Sequence, residues 1–490
     1  MTRAVHLPVL DCSVDDRPKE ECGVVAVWNH EDAVPLGYLG LFALQHRGQE
    51  AAGMAASSNG KIHVERGQGL VSDALTPDRL ERLNTYYHKN DSTNRGVIGH
   101  TRYSTAGGSG IENVQPLVET MFDGVIGVAH NGNLINSTIW RQELSRRGQI
   151  FHTSSDTEVM IHLLASPDTR DTADPTAAML RNLQGAFSLV LLFEDRIEAA
   201  RDPWGFRPLV LGELADGSPV VASETVALDV MGAKYIREIE PGEIVTLSDD
   251  GVRSRKYAQA MTPLARCVFE HVYFANPASQ VFGQNVLVSR EEFGVQLAKE
   301  SPVEADIVMP MPDSGRSAAN GYANESGIPY REGIVPNRYV GRTFIKPTQA
   351  ERAAAVRLKL NVVAEIVSGK RVIIVDDSIV RGTTTREKMK QIRAAGAKEI
   401  HVRISCPPIT HPCFFGVDFA TSDQLIAHEK SVEEIREFLG VDSLHYLSRE
   451  GMLGVMKNAE SGYCTACFTG EYPIDPARPL ACEVSAKAMS

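Results

Sequence analysis

The sequence predicts an α+β domain followed by an α/β domain, and two observations support this division. The first half contains short strands rich in Val and Leu, bounded by Gly, Asp or Asn, with few helices between them. The second half repeats a strand, a polar loop and a helix, which is the order of a parallel sheet with helices on its faces. We therefore expect two domains of different architecture.

The composition excludes several classes of protein. The chain has 490 residues, enough for two or three domains with separate cores. Its formal net charge of −12 argues against extensive binding of nucleic acid or anionic membranes. No stretch approaches the roughly 20 apolar residues that span a bilayer, and the leader makes a poor secretion signal, so we expect a cytoplasmic location. In that compartment the eight cysteines are expected to be catalytic or metal-binding rather than paired in disulfides.

The predicted elements of the first domain follow from local patterns. A helix is expected within residues 153–165, where Ser155 and Glu158 have the spacing of a capping box. The strand and polar connection between Pro241 and Pro263 mark the expected domain boundary. The predicted strands are "CGVVAVW", "GVIGVAH", "FSLVLLF" and "PLVLG".

The second domain is predicted from two segments of βαβ character. "EADIVMPMPDSGRSAANGYANESGIPY" is typical of a strand, a polar loop and a helix. "KRVIIVDDSIVRGTTTREKMKQIRAAGAKEIHVRISCPP" has the same order and adds a second strand, in which Ile400, Val402 and Ile404 alternate. Because active sites of parallel sheets lie at the carboxyl ends of the strands, both polar loops are candidate functional loops.

Residues 372–385, "VIIVDDSIVRGTTT", form the most informative stretch of the second half. The apolar strand delivers Asp376 and Asp377 to the edge of the sheet, and the Gly- and Thr-rich loop opens a helix. Backbone N–H groups and hydroxyls at such a helix start bind phosphate, and neighbouring carboxylates suit Mg²⁺ and sugar hydroxyls. The simpler alternative is a solvated acidic turn with an ordinary threonine cap.

This stretch resembles the signature of the type I phosphoribosyltransferases, in which a hydrophobic strand, an acidic pair and a Thr/Gly loop follow one another. The resemblance implies 5-phosphoribosyl-1-pyrophosphate as substrate, and it implies that "MPDSGRSAA" is the loop on the pyrophosphate side. It also implies Mg²⁺ at Ser314, Asp376 and Asp377. The implied substrate ligands are Asp313, Arg316, Asp376, Asp377, Ser378, Arg381, Gly382, Thr383, Thr384 and Thr385.

A basic segment separates the two loops. A cluster of cations in an acidic protein favours a polyanionic substrate, so we predict a lid that closes over it. A solvated surface loop is the alternative. The six basic residues, which are accompanied by Glu351, are Arg338, Arg342, Lys346, Arg352, Arg357 and Lys359.

Cys22 begins an apolar run in "RPKEECGVVAVW", and four polar motifs follow it at 44–50, 99–108, 130–134 and 154–158. These motifs, "LQHRGQE", "GHTRYSTAGG", "HNGNL" and "SSDTE", closely resemble those of the class II glutamine amidotransferases. The family has an N-terminal cysteine nucleophile and the αββα sandwich of the N-terminal-nucleophile hydrolases. The resemblance implies this fold for the first domain.

An N-terminal cysteine explains the position of the thiol. A peptide nitrogen has no useful basicity, whereas a free α-amino group titrates near pH 8 and serves as the base for its own side chain. We therefore expect cleavage between Glu21 and Cys22. The predicted domains are a propeptide at 1–21, a glutaminase at 22–255, a phosphoribosyltransferase with metal-site cysteines at 256–472 and a tail at 473–490.

The resemblance also implies roles for the residues of the glutaminase motifs. Each has a plainer alternative: Asp156 could serve the first turn of its helix, Asn131 and Gly132 could form a hairpin turn, and Arg102 could make a surface ion pair. The implied roles are a thioester-forming nucleophile for Cys22, an oxyanion hole for Asn131 and Gly132, and glutamine binding for Arg47, Arg102 and Asp156.

Together the two resemblances imply one reaction: glutamine, phosphoribosyl pyrophosphate and water give 5-phosphoribosylamine, glutamate and pyrophosphate. This is the first committed step of de novo purine (IMP) biosynthesis. Ammonia must reach the ribose unprotonated, because ammonium has no lone pair, so the two sites need a shared passage that excludes water. The combination also implies a homotetramer and feedback inhibition by purine nucleotides such as AMP and GMP.

Two other functions remain possible on the sequence alone. A hexosamine-forming synthase shares the glutaminase but needs a sugar-phosphate isomerase domain, which "VIIVDDSIVRGTTT" does not resemble. A regulatory protein that senses phosphoribosyl pyrophosphate with a dead glutaminase conflicts with the intact motif set at Cys22, Arg102, Asn131 and Asp156.

Four further cysteines form a candidate metal site: Cys267, Cys413, Cys464 and Cys467. A Cys-x-x-Cys pair with two distant cysteines suits a [4Fe–4S] cluster or a tetrahedral zinc, and spacing does not decide between them. The chain resembles the branch of its family that has both a propeptide and an iron–sulfur cluster with a structural role; buried free thiols are the alternative. Cys406 lies near Cys413 in sequence and competes with it as a ligand, while Cys12 and Cys482 have no expected role.

Overall fold

The computed structural model describes most of the chain in two compact units. The described residues are 22–58, 60–88, 95–103, 110–122, 124–336, 360–417, 419 and 421–477. The leader, Cys12, Cys482 and the six basic residues of the predicted lid lie outside them. We call the unit that contains residues 22–289, 411–419 and 456–477 the sandwich unit, and the unit that contains 290–410 and 421–455 the parallel-sheet unit.

The strands are numbered in chain order. They are β1 Gly23–Trp28, β2 Ala51–Ser58, β3 Lys61–Gln68, β4 Gly96–Arg102, β5 Leu117–Met121, β6 Gly124–Leu134, β7 Gly185–Leu192, β8 Ile197–Arg201, β9 Val210–Glu213, β10 Pro219–Ala222, β11 Lys234–Glu238, β12 Glu243–Ser248, β13 Gly251–Lys256, β14 Arg266–Cys267, β15 Gln280–Val281, β16 Gln284–Asn285, β17 Ile307–Pro310, β18 Ile334–Pro336, β19 Leu360–Val362, β20 Arg371–Asp376, β21 Glu399–Ile404, β22 Ser443–Tyr446 and β23 Tyr463–Cys464.

The α-helices are numbered in the same way, and a five-residue π-helix spans Glu270–Phe274. They are α1 Ala33–Ala43, α2 Val71–Ala74, α3 Pro77–His88, α4 Ser137–Arg146, α5 Thr157–Ala165, α6 Pro167–Arg170, α7 Pro175–Arg181, α8 Thr225–Met231, α9 Val286–Glu300, α10 Arg316–Ser326, α11 Ala364–Val367, α12 Thr383–Ala394, α13 Ile426–Glu429, α14 Val432–Leu439, α15 Arg449–Gly454 and α16 Ala466–Thr469.

Two antiparallel sheets form the centre of the sandwich unit. The strand orders are β11-β9-β10-β1-β4-β2-β3 and β13-β12-β8-β7-β6-β5. Strand β1 shows how the layers arise, because successive side chains of a strand point to opposite faces. Val24, Ala26 and Trp28 pack between the sheets, whereas Val25 and Val27 join the core beneath the helices. The predicted αββα sandwich is confirmed.

The parallel-sheet unit contains the four-stranded sheet β17-β20-β21-β22, in which every neighbouring pair is parallel. Helices follow β17 and β20, as the βαβ pattern predicts. The buried side chains of β20 are all Val or Ile, and those of β21 are Ile, Val and Ile with His401 and Arg403 between them, which suits a sheet covered on both faces. The predicted parallel sheet flanked by helices is confirmed. A separate antiparallel ribbon joins β18 to β19.

The compact units do not follow the predicted domain limits, which remain a prediction. The chain changes unit at 289/290, and residues 411–419 and 456–477 return to the sandwich unit. One reason is the pairing of β14 with β23, which joins Cys267 to Cys464. No helix among the described residues is long and apolar enough to cross a membrane.

Candidate active sites

Cys22 stands directly before β1, and its thiol is buried, with 8% of the residue exposed. The register of β1 with β4 pairs Gly23 with Thr101, so the thiol lies beside the end of β4. Its sulfur donates to the backbone carbonyl of Tyr103 over 3.8 Å. Burial raises the pKa of the Cys22 thiol to about 11, so the sulfur is protonated at neutral pH and needs a base.

Three charged residues predicted to bind glutamine act electrostatically on this thiol. Arg102 and Arg47 favour the thiolate, and Asp156 opposes it. Arg102 ends β4 and Asp156 precedes α5, and both are buried. The structure therefore brings Cys22, Arg47, Arg102 and Asp156 together, although they lie far apart in sequence.

Asn131 and Gly132 lie inside β6, so the alternative of a hairpin turn is wrong. Asn131 is fully buried, and neither atom of its side-chain amide has a hydrogen-bond partner among the described residues. An unpaired buried amide is costly unless a ligand completes it. Gly132 has φ of +151°, and a Cβ there would lie 2.0 Å from the carbonyl oxygen of Ala186, so only glycine fits.

The carboxylate of Asp156 is tied to the strand that carries Asn131. It accepts the N–H of Leu134 over 2.9 Å, and its other oxygen lies 3.6 Å from Nδ1 of His130. Burial opposes ionisation, but His130 and the backbone N–H groups outweigh it and lower the pKa of Asp156 below its ordinary value. Asp156 is thus an anion, as a ligand for an ammonium group must be.

The helix predicted within 153–165 begins at Thr157, and the predicted capping box does not form. Ser155 Oγ accepts the N–H of Thr157 over 3.2 Å. Glu158 instead accepts the backbone N–H groups of His152 and Thr153, over 2.6 and 2.8 Å. The motif therefore shapes the loop before α5 rather than capping the helix.

Arg47 is buried, and its guanidinium contacts the backbone of Cys22. Nε donates to the carbonyl oxygen of Cys22 over 3.1 Å, while the other nitrogens bind Glu270 and Glu224. Burial alone would lower the pKa of Arg47, but the two carboxylates raise it above its ordinary value. Both glutamates were missed by sequence reasoning, because they follow Arg47 by 177 and 223 residues without a shared motif.

The candidate phosphate loop lies at the carboxyl end of β20. Asp376 ends the strand, and the buried Asp377 accepts the hydroxyl of Ser378. Gly382 has φ of +74° and directly precedes α12, so the loop leads into the N-terminal end of this helix. The predicted order of strand, acidic pair and helix start is present.

The second candidate loop packs against the same strand end. Met311 N donates to the carbonyl oxygen of Val375 over 2.8 Å, and Gly315 lies so close that a Cβ would be 2.3 Å from that oxygen. Arg316 Nε donates to Asp313 over 3.1 Å. The structure thus brings the loop of Asp313, Ser314 and Arg316 to the edge where Asp376 stands.

The four candidate metal-site cysteines lie in the sandwich unit. Cys267 pairs with Cys464 across β14 and β23, and Cys413 packs with Cys464 against Phe206. Cys406 belongs to the parallel-sheet unit, where Asp377 and Asp376 act on its thiol. It therefore belongs to a different unit from the other four.

Backbone N–H groups donate to three of these sulfurs, each from two residues further along the chain. Phe415 N lies 3.3 Å from Cys413 Sγ, and Phe269 and Ala466 donate to Cys267 and Cys464. Such bonds stabilise thiolates and recur around metal-bound sulfur. No group of three or more His, Cys, Asp or Glu side chains among the described residues is arranged as metal ligands. The donor chemistry nevertheless fits a thiolate-bound metal.

Comparisons with known proteins agree with this geometry. A family model described as a glutamine amidotransferase domain matches residues 100–230. The amidophosphoribosyltransferase of Bacillus subtilis is 47% identical over 461 residues, covering 93% of this chain and 94% of that protein. This chain belongs to the amidophosphoribosyltransferase family. The chloroplastic amidophosphoribosyltransferase 1 of Arabidopsis thaliana is 48% identical over 463 residues, and the match covers 94% of this chain and 80% of that protein.

A solved amidophosphoribosyltransferase has the same fold. The B. subtilis glutamine phosphoribosylpyrophosphate amidotransferase, in a complex with ADP and GMP, superposes with a TM-score of 0.84 at 46% identity, covering 92% of this chain and 97% of that one. The predicted enzyme class and reaction are confirmed: the chain is a glutamine-dependent amidophosphoribosyltransferase of purine biosynthesis. The hexosamine synthase and the regulatory protein are rejected, because the likeness extends over both halves of the chain.

Proposed function

We propose that Cys22, freed of the leader, hydrolyses glutamine and that the loops around Asp313 and Asp376 join the released ammonia to phosphoribosyl pyrophosphate. The thiol attacks the carboxamide carbon, a C–S bond forms, and the amide nitrogen leaves as ammonia. Water then hydrolyses the thioester to glutamate, and ammonia displaces pyrophosphate from the ribose. The unpartnered amide of the buried Asn131, on the strand whose Leu134 N–H binds Asp156, supports the proposal most directly.

Removal of the 21-residue leader follows from the acidity of the thiol. A thiol with a pKa of about 11 is almost wholly protonated at neutral pH, and in the uncut chain the Cys22 nitrogen is an amide without basicity. Cleavage converts that amide into an amine that titrates near pH 8. We expect mass spectrometry of active enzyme to find Cys22 at the N-terminus. A fully active enzyme that retained the leader would contradict the proposal.

The glutamine ligands are assigned by charge. Arg102 supplies a guanidinium for the α-carboxylate, and the ionised Asp156 supplies an anion for the α-ammonium group. Asn131 Nδ2 and the N–H of Gly132 stabilise the oxyanion of the tetrahedral intermediate. Arg47, which the family resemblance implies as a further glutamine ligand, is assigned here to the backbone of the nucleophile instead, because its nitrogens bind the Cys22 carbonyl oxygen, Glu224 and Glu270.

Phosphoribosyl pyrophosphate binds at the edge of the parallel sheet in this proposal. The loop from Ser378 to Thr385 holds the 5-phosphate at the start of α12, and Asp313 and Arg316 face the pyrophosphate. Asp376, Asp377 and Ser314 would hold Mg²⁺, which would supply positive charge to balance that of the departing pyrophosphate. Oxygen donors from two loops that meet at the end of β20 suit this ion.

The replacement Cys22→Ser tests whether there are two chemical sites. We expect glutamine-dependent synthesis to fall to background and ammonia-dependent synthesis to remain within about twofold of the parent, because the thiol serves only glutamine hydrolysis. Pyrophosphate release with each nitrogen source measures both. Equal loss of the two activities would contradict separate sites.

Cys267, Cys413, Cys464 and Cys467 are proposed to hold a [4Fe–4S] cluster with a structural role, with zinc as the alternative. The N–H···S bonds support a thiolate-bound metal but not one metal over another. Anaerobic purification followed by assays of iron, acid-labile sulfide and zinc separates the two. Brown protein with iron and sulfide is expected, and Cys464→Ser is expected to lose it. Colourless, metal-free protein would leave the alternative of buried thiols.

Regulation is proposed from a solved relative, and assembly from the family resemblance. Because a B. subtilis relative was solved with ADP and GMP, we propose that purine nucleotides such as AMP and GMP bind and inhibit this enzyme. We also propose a homotetramer, for which light scattering should give about four times the mass of one chain.

A cytoplasmic location is proposed because none of the six described cysteines forms a disulfide.

A further inference from the structure

Four charged residues form a buried cluster that contacts the backbone of Cys22. It contains Arg47, Arg207, Glu224 and Glu270, and each is at most 1% exposed. All four belong to the sandwich unit. Two positive and two negative side chains balance in charge, which allows them to be buried together. We call this set the arginine–glutamate cluster.

Glu270 fixes the orientation of Arg47. Its two carboxylate oxygens accept from Nη1 and Nη2 of Arg47 over 3.0 and 2.7 Å. A guanidinium is a rigid planar fork, so this bidentate pairing also sets the direction of its remaining N–H. That group, Nε, donates to the carbonyl oxygen of Cys22 over 3.1 Å.

Glu270 is itself held from two sides. It begins the π-helix Glu270–Phe274, three residues after Cys267, and is fully buried. Arg207 lies 3.6 Å from its carboxylate and donates through Nη2 to the carbonyl oxygen of Phe415 over 2.6 Å. π-Helical turns are frequent at functional sites, because the extra residue redirects a side chain.

The Cys22 carbonyl matters because a cleaved chain begins at this residue. No preceding residue then restrains the amine, and rotation about the Cα–C bond of Cys22 moves the amine and the thiol together. A hydrogen bond to the carbonyl limits that rotation and holds both reacting groups in place. Small misplacements of reacting groups cost large factors in rate.

We propose that Glu270 is a positioning residue for the glutamine half of the reaction: it holds Arg47 against the Cys22 carbonyl and thereby orients the thiol and the amine. The proposal rests on the proposed role of Cys22 as the N-terminal nucleophile. Glu270 touches neither substrate, and Arg47 acts on the backbone of the nucleophile rather than on glutamine.

The test is Glu270→Gln, which keeps the volume and removes the charge. We expect kcat for glutamine-dependent synthesis to fall between about tenfold and a hundredfold, with KM for glutamine within about twofold. Ammonia-dependent synthesis should be unchanged. Alkylation of Cys22 by iodoacetamide provides a second readout, and its rate should fall with kcat.

Glu198→Gln is the matched control. Glu198 is a buried carboxylate of the same unit that binds Arg255 and Arg196 over 3.1 and 3.0 Å, and it does not contact the arginine–glutamate cluster. We expect it to leave the ratio of the two activities unchanged. If Glu270→Gln does not accumulate as folded protein, Arg47→Lys replaces it, because lysine cannot donate to both Glu270 and the carbonyl in fork geometry.

Several results would overturn the proposal. Glu270→Gln would overturn it by keeping the kinetics of the parent enzyme or by losing glutamine-dependent and ammonia-dependent synthesis equally. Arg47→Lys would overturn it by raising KM for glutamine at unchanged kcat, because Arg47 would then be a substrate ligand. Failure of the proposed function is a different result: if the Cys22→Ser variant kept its glutaminase activity, Cys22 would not be the nucleophile.

Discussion

The reactivity of Cys22 is controlled by its surroundings rather than by a neighbouring histidine. Burial raises the thiol pKa to about 11, and Arg102 and Arg47 offset only part of this effect. The thiolate fraction is therefore very small at neutral pH while the nitrogen is a peptide amide. We propose that the free amine created by cleavage makes the site active.

A pH titration tests this explanation. In the leader-bearing chain, alkylation of Cys22 by iodoacetamide should rise about tenfold per pH unit between pH 7 and 10, because the thiolate forms only as the pH approaches 11. A chain expressed to begin at Cys22 should react faster at pH 8 and level off above the pKa of its amine. Identical profiles of the two chains would contradict the role of the amine.

Asn131→Ala is expected to slow glutamine hydrolysis by about 10² to 10³-fold, since one oxyanion donor contributes roughly 3 to 4 kcal/mol. KM for glutamine should change little, because the donor acts only on the tetrahedral intermediate. Ammonia-dependent synthesis serves as the control in the same preparation. A change confined to KM would show that Asn131 binds ground-state glutamine instead.

The residues of the site were predictable in part. Cys22, Arg102, Asn131 and Asp156 stand in compact polar motifs, and the structure gathers them. The glutamates of the arginine–glutamate cluster were not predictable, because their meaning comes only from burial against Arg47. A single glutamate in an apolar stretch such as "VFEHVYF" carries no local pattern that distinguishes an ion pair in a core from an exposed turn.

At the scale of elements, the close packing of two loops on β20 creates the candidate phosphoribosyl pyrophosphate site. Gly315 allows this approach, since its α-carbon faces the carbonyl oxygens of Val375 and Met311. Any side chain at this position must push the loop of Asp313 away from the strand. The contact therefore links backbone packing to the geometry of substrate ligands.

Gly315→Ala should raise KM for phosphoribosyl pyrophosphate by about tenfold or more in ammonia-dependent synthesis, because a Cβ 2.3 Å from a carbonyl oxygen forces the loop to move. Gly454→Ala is the matched control, since no atom lies within 4 Å of the added Cβ in the same unit. Unchanged KM in Gly315→Ala would show that the loop does not contact the substrate.

Patterns of apolar residues predicted most of the elements that matter. The apolar runs of β1 and β20 placed both strands correctly, because burial of their side chains leaves a direct signal. Strand β4, "GVIGHTR", was not predicted although it is fully buried between β1 and β2. His100 and Thr101 are polar, so the sequence alone favours a surface segment. Both are buried because β4 lies between β1 and β2 in the sheet.

At the scale of the whole molecule, the sandwich unit is discontinuous in sequence. Ala265, Phe206 and Phe415 pack in one apolar cluster with Cys464 and Tyr472. The rings of Phe206 and Phe415 stack with centroids 4.4 Å apart. Residues from three separate parts of the chain therefore form this apolar cluster of the sandwich unit.

Truncation after Val455 should reduce glutaminase activity to background and lower the melting temperature, because it removes β23 and Tyr472 from this apolar cluster. Truncation after Ala477 keeps every described residue and is the matched control. Activity and calorimetry of the two chains provide the measurements. Parental glutaminase in the shorter chain would show that the late segments are dispensable.

This discontinuity sets an order of events during translation. The ribosome makes the last segment of the sandwich, 456–477, only after residues 290–455, which take about 10 to 30 s at typical rates of synthesis. Throughout that interval the nascent glutaminase lacks Cys464 and Tyr472 of this apolar cluster. The residues that complete this cluster are therefore synthesised after the strands and loops of the candidate phosphoribosyl pyrophosphate site.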